Sequence, residues 1–306
     1  MIRFLAALLT LPCLAACAAT TAASTAAIAP PPQARAAFSS ERMAVTVRGE
    51  GPDVILIPGL SSSAEVWDST VAAVPGYRYH IVQVSGFAGR PAGANASGPV
   101  VEPVAGEIAR YISAAGLQRP AIVGHSLGGA WAMMVAARHP DKVGRVMVVD
   151  MLPFLGAMFG GPTATPDSIR PMAEQFRTGI AGGSGAAREA ATRQMMATMV
   201  RTENMRSVAY RHSMASDPAV SAQAMYDLIT NDLRPELGNI RVPLTVLWVN
   251  PQGSPVTQEQ MAGFYRTSYA NAPRARLVHV PNAYHFIMWD EPEFFQREMR
   301  AFLTAR

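Results

Sequence analysis

The sequence predicts an α/β fold, with a mostly parallel sheet covered by helices on both faces and an inserted helical cap. Three observations support this prediction. Short continuous apolar runs, typical of strands buried on both faces, alternate with segments of helical apolar spacing. The alternation stops between residues 152 and about 237, where helical spacing continues without a clear strand. The chain has 306 residues and is 49% hydrophobic, which is enough for one large domain.

Seven segments predict the strands. Residues 43–48 alternate in polarity, and residues 54–57 form a continuous apolar run that ends at Pro58-Gly59. The remaining runs lie at residues 79–84, 121–123, 143–149, 244–249 and 275–280. Because helical segments separate most of these runs, most of the strands are expected to be parallel.

Helices are predicted between the strands. Residues 103–115 have helical apolar spacing, and residues 127–139 predict a helix of small side chains that packs closely on the sheet. Residues 291–303 predict a closing helix with Asp290 as its N-cap. The cap, at about 152–237, is rich in methionines, which either fill its own core or form an adaptable apolar surface.

Residues 1–17 predict an export signal. They hold one charge, at Arg3, and an apolar run too short to span a bilayer, which needs about 20 residues. Residues 14–17, Leu-Ala-Ala-Cys, resemble the lipobox of bacterial lipoproteins, which implies cleavage before Cys17 and lipidation of its thiol. The expected location is then the cell envelope, with an outer-membrane anchor facing the periplasm or the surface. An ordinary signal peptide, cut nearby at an Ala-rich site, is the alternative.

The composition also limits partners and cofactors. Residues 18–38 are mostly Ala, Thr and Pro and predict a tether, so the folded domain is expected at 39–306. Both cysteines, Cys13 and Cys17, lie in the predicted signal, so no disulfide framework is expected. The formal charge is +4 without a basic run, which disfavours nucleic acid as a partner. No histidine has the spacing of a metal motif, and no cofactor is expected.

The motif Gly124-x-Ser126-x-Gly128 indicates chemistry. It follows an apolar strand and precedes a helix of small residues, as a nucleophile elbow requires. Such a turn lifts the Ser126 hydroxyl clear of the sheet, and the amide of Leu127 at the helix N-terminus points toward a developing oxyanion. A Gly-rich turn with an incidental serine is the structural alternative.

On this motif and its context, residues 43–306 resemble the α/β-hydrolase superfamily, in its esterase- and lipase-like branches. The resemblance implies a second oxyanion amide from Leu60, which follows Pro58-Gly59. It also implies a catalytic base at His285, in PNAYHFIMWD between the last strand and the last helix. His125, beside the serine, is interpreted as packing or loop support. A serine at the elbow excludes the branches that use an aspartate there, namely haloalkane dehalogenases and epoxide hydrolases.

The resemblance implies a catalytic triad of Ser126, His285 and an acid that orients the base, and the sequence leaves the identity of that acid open. In most of the family it follows the strand after the cap, yet Leu244–Val256, LTVLWVNPQGSPV, contains neither Asp nor Glu. Asn250 stands near the expected place, where an amide can orient an imidazole but supplies no counter-charge. The alternative is Asp150, at the end of the preceding strand, from which some family members take their acid. In many relatives, however, an aspartate there only caps a loop.

Together these features predict a serine hydrolase that cleaves carboxylic esters through an acyl-enzyme. Its substrate is expected to be a small molecule with an apolar acyl or aromatic portion. The first alternative is the same machinery acting on a lactone, an amide or a carbon–carbon bond, or in acyl transfer. The second is a non-catalytic binding protein of the cell envelope on a hydrolase scaffold.

Overall fold

A seven-stranded sheet forms the centre of the molecule, whose computed structural model describes residues 38–305. The strands are β1 (Met43–Arg48), β2 (Asp53–Ile57), β3 (Arg78–Val84), β4 (Ala121–His125), β5 (Arg145–Val149), β6 (Leu244–Trp248) and β7 (Arg276–His279). Their spatial order is β1-β3-β2-β4-β5-β6-β7, and β1 is antiparallel to β3 while the other described pairs are parallel. The predicted signal, Cys17 and nearly all of the predicted tether lie outside the described residues.

Eleven α-helices accompany the sheet within residues 38–305. They are α1 (Asp68–Ala73), α2 (Val101–Ala114), α3 (Leu127–Arg138), α4 (Ala157–Gly160), α5 (Pro166–Gly182), α6 (Gly185–Met199), α7 (Glu203–Ala215), α8 (Pro218–Thr230), α9 (Gln258–Ser268), α10 (Ile287–Asp290) and α11 (Pro292–Thr304). None of the helices in this part of the chain is long and apolar enough to cross a membrane.

Two apolar cores lie on the two faces of the sheet. Alternate side chains of β2 enter different cores, with Ile55 and Ile57 on one face and Val54 and Leu56 on the other. Helices α2, α3 and α9 cover the first face, and α1 and α11 cover the second. The central strands are buried on both sides, as their continuous apolar sequences require. The predicted fold class is confirmed.

The closing helix begins differently from the prediction, because Asp290 is not its N-cap. Asp290 ends α10, and the N-cap position of α11 falls on Glu291, which makes no side-chain capping bond. The buried carboxylate of Asp290 instead accepts backbone N–H bonds from Arg201, Thr202 and Tyr284 at 2.9–3.1 Å. The sequence pattern did not predict the short helix α10, and the N-cap of α11 therefore lies one residue later than predicted.

Five helices, α4 to α8, lie between β5 and β6, and the described residues contain no strand there. We call them the cap helices. Four of them form two pairs, since α5 packs on α8 and α6 packs on α7. Side-chain caps stabilise two of their starts: Thr165 accepts the N–H of Ser168 at the start of α5, and Asp217 accepts two N–H groups at the start of α8.

Candidate active site

The turn at Ser126 has a backbone conformation that only close packing makes possible. Ser126 lies between β4 and α3 with φ 53° and ψ −125°, a sparsely populated conformation that costs about 1–3 kcal/mol. A Cβ on Gly124 would collide with the carbonyl of Gly128, and a Cβ on Gly128 would collide with the carbonyl of Ile57. Both glycines of the motif are therefore required by the close approach of β4, α3 and β2.

Asp150 and His285 form the central contact of the site. Oδ2 of Asp150 lies 2.7 Å from Nδ1 of His285, and because a carboxylate only accepts, Nδ1 carries the proton. Oδ1 of Asp150 accepts from the hydroxyl of Tyr265 at 2.9 Å and from the amide of Val249 at 3.3 Å. The side chains of Asp150 and His285 are 11% and 21% exposed, so solvent screens their interaction weakly.

Asn250, the other residue considered for orienting the base, makes no hydrogen bond to His285 within residues 38–305. Its Nδ2 donates to the carbonyl of Val256 at 3.1 Å, inside its own loop. Its Oδ1 is buried without a hydrogen-bond partner in the described structure. Of the two residues that the sequence left open, the structure brings Asp150 to the imidazole.

His125 contacts the backbone of the residue predicted to be the base. Its Nε2 donates to the carbonyl oxygen of His285 at 3.0 Å, and its ring packs 4.6 Å from that of Phe286, measured between centroids. Complete burial, and then electrostatic repulsion from the neighbouring imidazole of His285, hold the pKa of His125 well below its ordinary value. His125 is therefore neutral and supports the loop that carries His285.

The loop after β2 lies beside Ser126. A Cβ on Gly59 would stand 2.9 Å from Cβ of Ser126 and 3.1 Å from Nδ1 of His125, so this position has little room for a side chain. Leu60 follows and lines the same cavity as Ser126. Leu127 is the first residue of α3, and its N–H is one of the four at a helix start that lack an intrahelical acceptor. Both predicted oxyanion donors are therefore near Ser126. Leu127 follows Ser126 in the chain, and Leu60 follows Gly59, which packs against Ser126.

Ser126, Asp150 and His285 line one cavity of about 300 Å³. The other walls are mostly apolar and include six methionines: Met151, Met158, Met195, Met196, Met199 and Met225. Only Nδ1 of the His285 ring makes a hydrogen bond within the described chain, which leaves Nε2 available inside the cavity. Within residues 38–305, no hydrogen bond joins Nε2 of His285 to Oγ of Ser126. Hydrogen bonds between catalytic groups are often long without substrate and tighten when substrate is bound.

Two residues of the site were not predicted from the sequence. Tyr265 donates to Asp150, and burial together with the charge of Asp150 raises the pKa of Tyr265 well above its ordinary value, so the hydroxyl keeps its proton. Asp290 accepts the N–H of Tyr284 and so holds the residue next to His285. No local motif marks Tyr265, and the sequence pattern indicates Asp290 only as a helix N-cap.

The described residues contain no group of three His, Cys, Asp or Glu side chains arranged to hold a metal ion. What the arrangement supplies is a serine hydroxyl, an imidazole oriented by a carboxylate, and the backbone amides of Leu60 and Leu127 near the serine. These groups can transfer a proton and stabilise a developing oxyanion.

A family model described as alpha/beta hydrolase fold matches residues 52–292. The chain is 25% identical over 260 residues to a pimeloyl-(acyl-carrier protein) methyl ester esterase of Pectobacterium carotovorum subsp. carotovorum, covering 83% of this chain and 94% of the relative. It is 28% identical over 251 residues to an N-formylmaleamate deformylase of Pseudomonas putida, covering 81% and 87%.

Solved structures share the fold. The enol-lactonase from Burkholderia xenovorans LB400 superposes with a TM-score of 0.69 at 20% identity, over 86% of this chain and 96% of that one. An esterase from Exiguobacterium antarcticum superposes with a TM-score of 0.71 at 19% identity, over the same shares of the two chains, 86% and 96%.

Proposed function

Because the chain belongs to the alpha/beta hydrolase fold family, we propose that it is a serine hydrolase that cleaves carboxylic esters through an acyl-enzyme. The observation that carries the proposal is the 2.7 Å contact between Asp150 and His285, in an apolar cavity that Ser126 also lines. Curated relatives that include an esterase and a deformylase support hydrolysis as the class of reaction.

The first half-reaction makes the acyl-enzyme. Oγ of Ser126 attacks the ester carbonyl carbon while its proton passes to Nε2 of His285, and Asp150 stabilises the imidazolium that forms. The amides of Leu60 and Leu127 donate to the oxyanion of the tetrahedral intermediate. The bond from carbon to the alcohol oxygen then breaks, and the imidazolium returns its proton to that oxygen.

Water completes the reaction. His285 takes a proton from a water molecule, whose oxygen attacks the acyl carbon of the acyl-enzyme. When this second intermediate collapses, the bond to Oγ breaks and the imidazolium protonates Ser126. The products are the carboxylic acid and the restored enzyme. The methionine-rich walls favour an apolar acyl or aromatic portion on the substrate.

The test is hydrolysis of p-nitrophenyl butyrate by the purified protein, together with labelling by a fluorophosphonate probe. Ser126→Ala should abolish both, since the probe reacts with the activated hydroxyl. Unchanged turnover in Ser126→Ala would contradict the proposal. Wild-type protein that is labelled but does not turn over esters would point to another bond, an amide first, because one relative is a deformylase. Protein that is never labelled would favour the non-catalytic binding protein.

We also propose, from the sequence of the first 17 residues, that the chain is exported and anchored through lipidated Cys17. Cells expressing the protein can be fed an alkyne-bearing palmitate. Wild-type protein should incorporate the label and fractionate with membranes, whereas Cys17→Ser should do neither. Wild-type protein that does not incorporate the palmitate label would support an ordinary signal peptide instead.

A further inference from the structure

A groove of about 660 Å³ in the cap helices adjoins the cavity that holds Ser126. The groove and the cavity share five wall residues, namely Leu60, Ser61, Met195, Ser213 and Met225. We call this volume the cap groove. The cavity and the groove therefore lie side by side at these five residues.

The cap groove lies between the two pairs of cap helices, since its wall residues come from α5 and α8 and from α6 and α7. One wall is the face of α5 that carries Phe176, Gly179 and Ile180, and the facing wall on α6 carries Ala187 and Ala191. Small side chains at three of these positions leave the space open. A Cβ added at Gly179 would meet no atom within 4 Å.

The described walls of the cap groove carry a single charge and two large, partly exposed apolar side chains. Among the described residues, Arg188 is the only charged wall residue, and its Nη2 donates to the carbonyls of Ser213, in the last turn of α7, and Ser216, just after that helix, at 3.1 and 3.0 Å. Phe176 and Met195, by contrast, are large apolar side chains that remain 37% and 39% exposed. An uncharged apolar ligand would cover them, while hydrogen bonds to carbonyls hold the Arg188 guanidinium at the end of α7.

We propose that the cap groove binds the distal part of a long aliphatic acyl chain, so that the substrates are esters of medium- to long-chain acids. This inference rests on the proposed ester hydrolysis. A cavity of about 300 Å³ lies at the small end of the range of roughly 300–1,000 Å³ for ligand pockets, and the neighbouring cap groove offers about 660 Å³ more. Each further methylene that enters the groove increases binding about fourfold.

The test compares kcat/KM for p-nitrophenyl esters from acetate to dodecanoate, each below the concentration at which it aggregates. Ala191→Trp places an indole in the cap groove, and Ala191 does not line the Ser126 cavity. We expect a loss of at least tenfold with dodecanoate and less than twofold with acetate. Gly179→Leu should give the same pattern from the opposite wall. Ala190→Trp, the adjacent exposed residue of α6 that lines neither volume, is the matched control and should match wild type.

A second measurement does not need turnover. Dodecanoate binding to Ser126→Ala, measured by calorimetry, should weaken at least tenfold when Ala191→Trp is added. Equal losses at every chain length, or no loss with dodecanoate, would overturn the role of the groove and leave ester hydrolysis intact. The long-chain esters are also tested above the concentration at which they aggregate. Activity that appears only there, and that Ala191→Trp does not change, would indicate a lipid surface instead. If wild type hydrolyses no ester, the proposed function fails, and the binding experiment still decides whether the groove takes an acyl chain.

Discussion

Asp150 and His285 are 135 positions apart in the sequence, and Oδ2 of the first lies 2.7 Å from Nδ1 of the second. The carboxylate comes from the end of β5, before the cap, while β6 after the cap ends in an uncharged loop. Because β5 and β6 are parallel neighbours, their carboxyl ends lie at the same edge of the sheet. A carboxylate from either strand can therefore reach the same imidazole.

The first prediction concerns this carboxylate. Asp150→Asn is expected to lower kcat for p-nitrophenyl butyrate about 10⁴-fold, because the amide supplies no counter-charge to the imidazolium. Asn tolerates the φ of 53° at this position, so the backbone should be kept, and thermal unfolding checks this. Asn250→Ala is the control and should stay within twofold of wild type. A nearly fully active Asp150→Asn would show that another group orients His285.

The second prediction concerns Tyr265, whose hydroxyl donates to the other oxygen of Asp150. A hydrogen bond to a charged group contributes about 1.5–3 kcal/mol, and the amide of Val249 remains to compensate part of its loss. We expect Tyr265→Phe to lower kcat about tenfold with little change in KM. Tyr77→Phe, which removes a hydroxyl without a hydrogen bond in the described structure, should not change kcat. An unchanged kcat in Tyr265→Phe would mean that the Val249 amide alone holds the carboxylate.

The third prediction is a dependence of stability on pH. The pKa of buried His125 lies well below its ordinary value of 6.5, so below pH 6.5 the unfolded chain takes up a proton that the folded chain does not. The free energy of unfolding should therefore fall as the pH falls from 6.5 toward 5, by at most about 1.4 kcal/mol per pH unit from this residue.

The variant that isolates this effect is His125→Gln, whose amide can still donate to the carbonyl of His285. Its melting temperature should decline less steeply between pH 7.5 and pH 5 than that of wild type. The pKa of His279 is also lowered by burial, but His279 is present in both proteins and cancels in the difference. Parallel curves would show that His125 is protonated in the folded state or contributes nothing.

The fourth prediction concerns the loop that carries the Leu60 amide. A Cβ at Gly59 would stand 2.9 Å from Cβ of Ser126, so Gly59→Ala must displace the loop or the elbow by several tenths of an ångström. Loss of one oxyanion donor lowers kcat about 10²–10³-fold, which is the upper limit expected here. Gly106→Ala is the matched control, since its Cβ meets nothing within 4 Å on an exposed helix position, and it should keep full activity. Full activity in Gly59→Ala would remove Leu60 from the oxyanion site.

The order of strands and helices was predictable because each rests on a local pattern. A strand buried on both faces needs a continuous apolar run, and the runs at 54–57 and 244–249 differ from β2 and β6 by one residue each. The turn around Ser126 is partly local, because a Cβ on Gly124 would collide within the motif, at the carbonyl of Gly128, whereas a Cβ on Gly128 would collide with the carbonyl of Ile57 at the end of β2. The N-cap of the last helix was wrongly placed at Asp290, because the four-residue helix α10 leaves almost no periodic signal in the sequence.

By itself, the sequence determined the α/β sheet with its helical insertion, the elbow at Ser126, and the place of His285 between the last strand and the last helix. Only the tertiary structure brought Asp150 rather than Asn250 to His285, placed Tyr265 against Asp150 and His125 against the backbone of His285, and opened a groove between the two pairs of cap helices. The physical reason is distance along the chain. Periodicity and turn chemistry record contacts between near neighbours, whereas a hydrogen bond between residues 150 and 285 depends on how strands β5 and β6 are placed side by side.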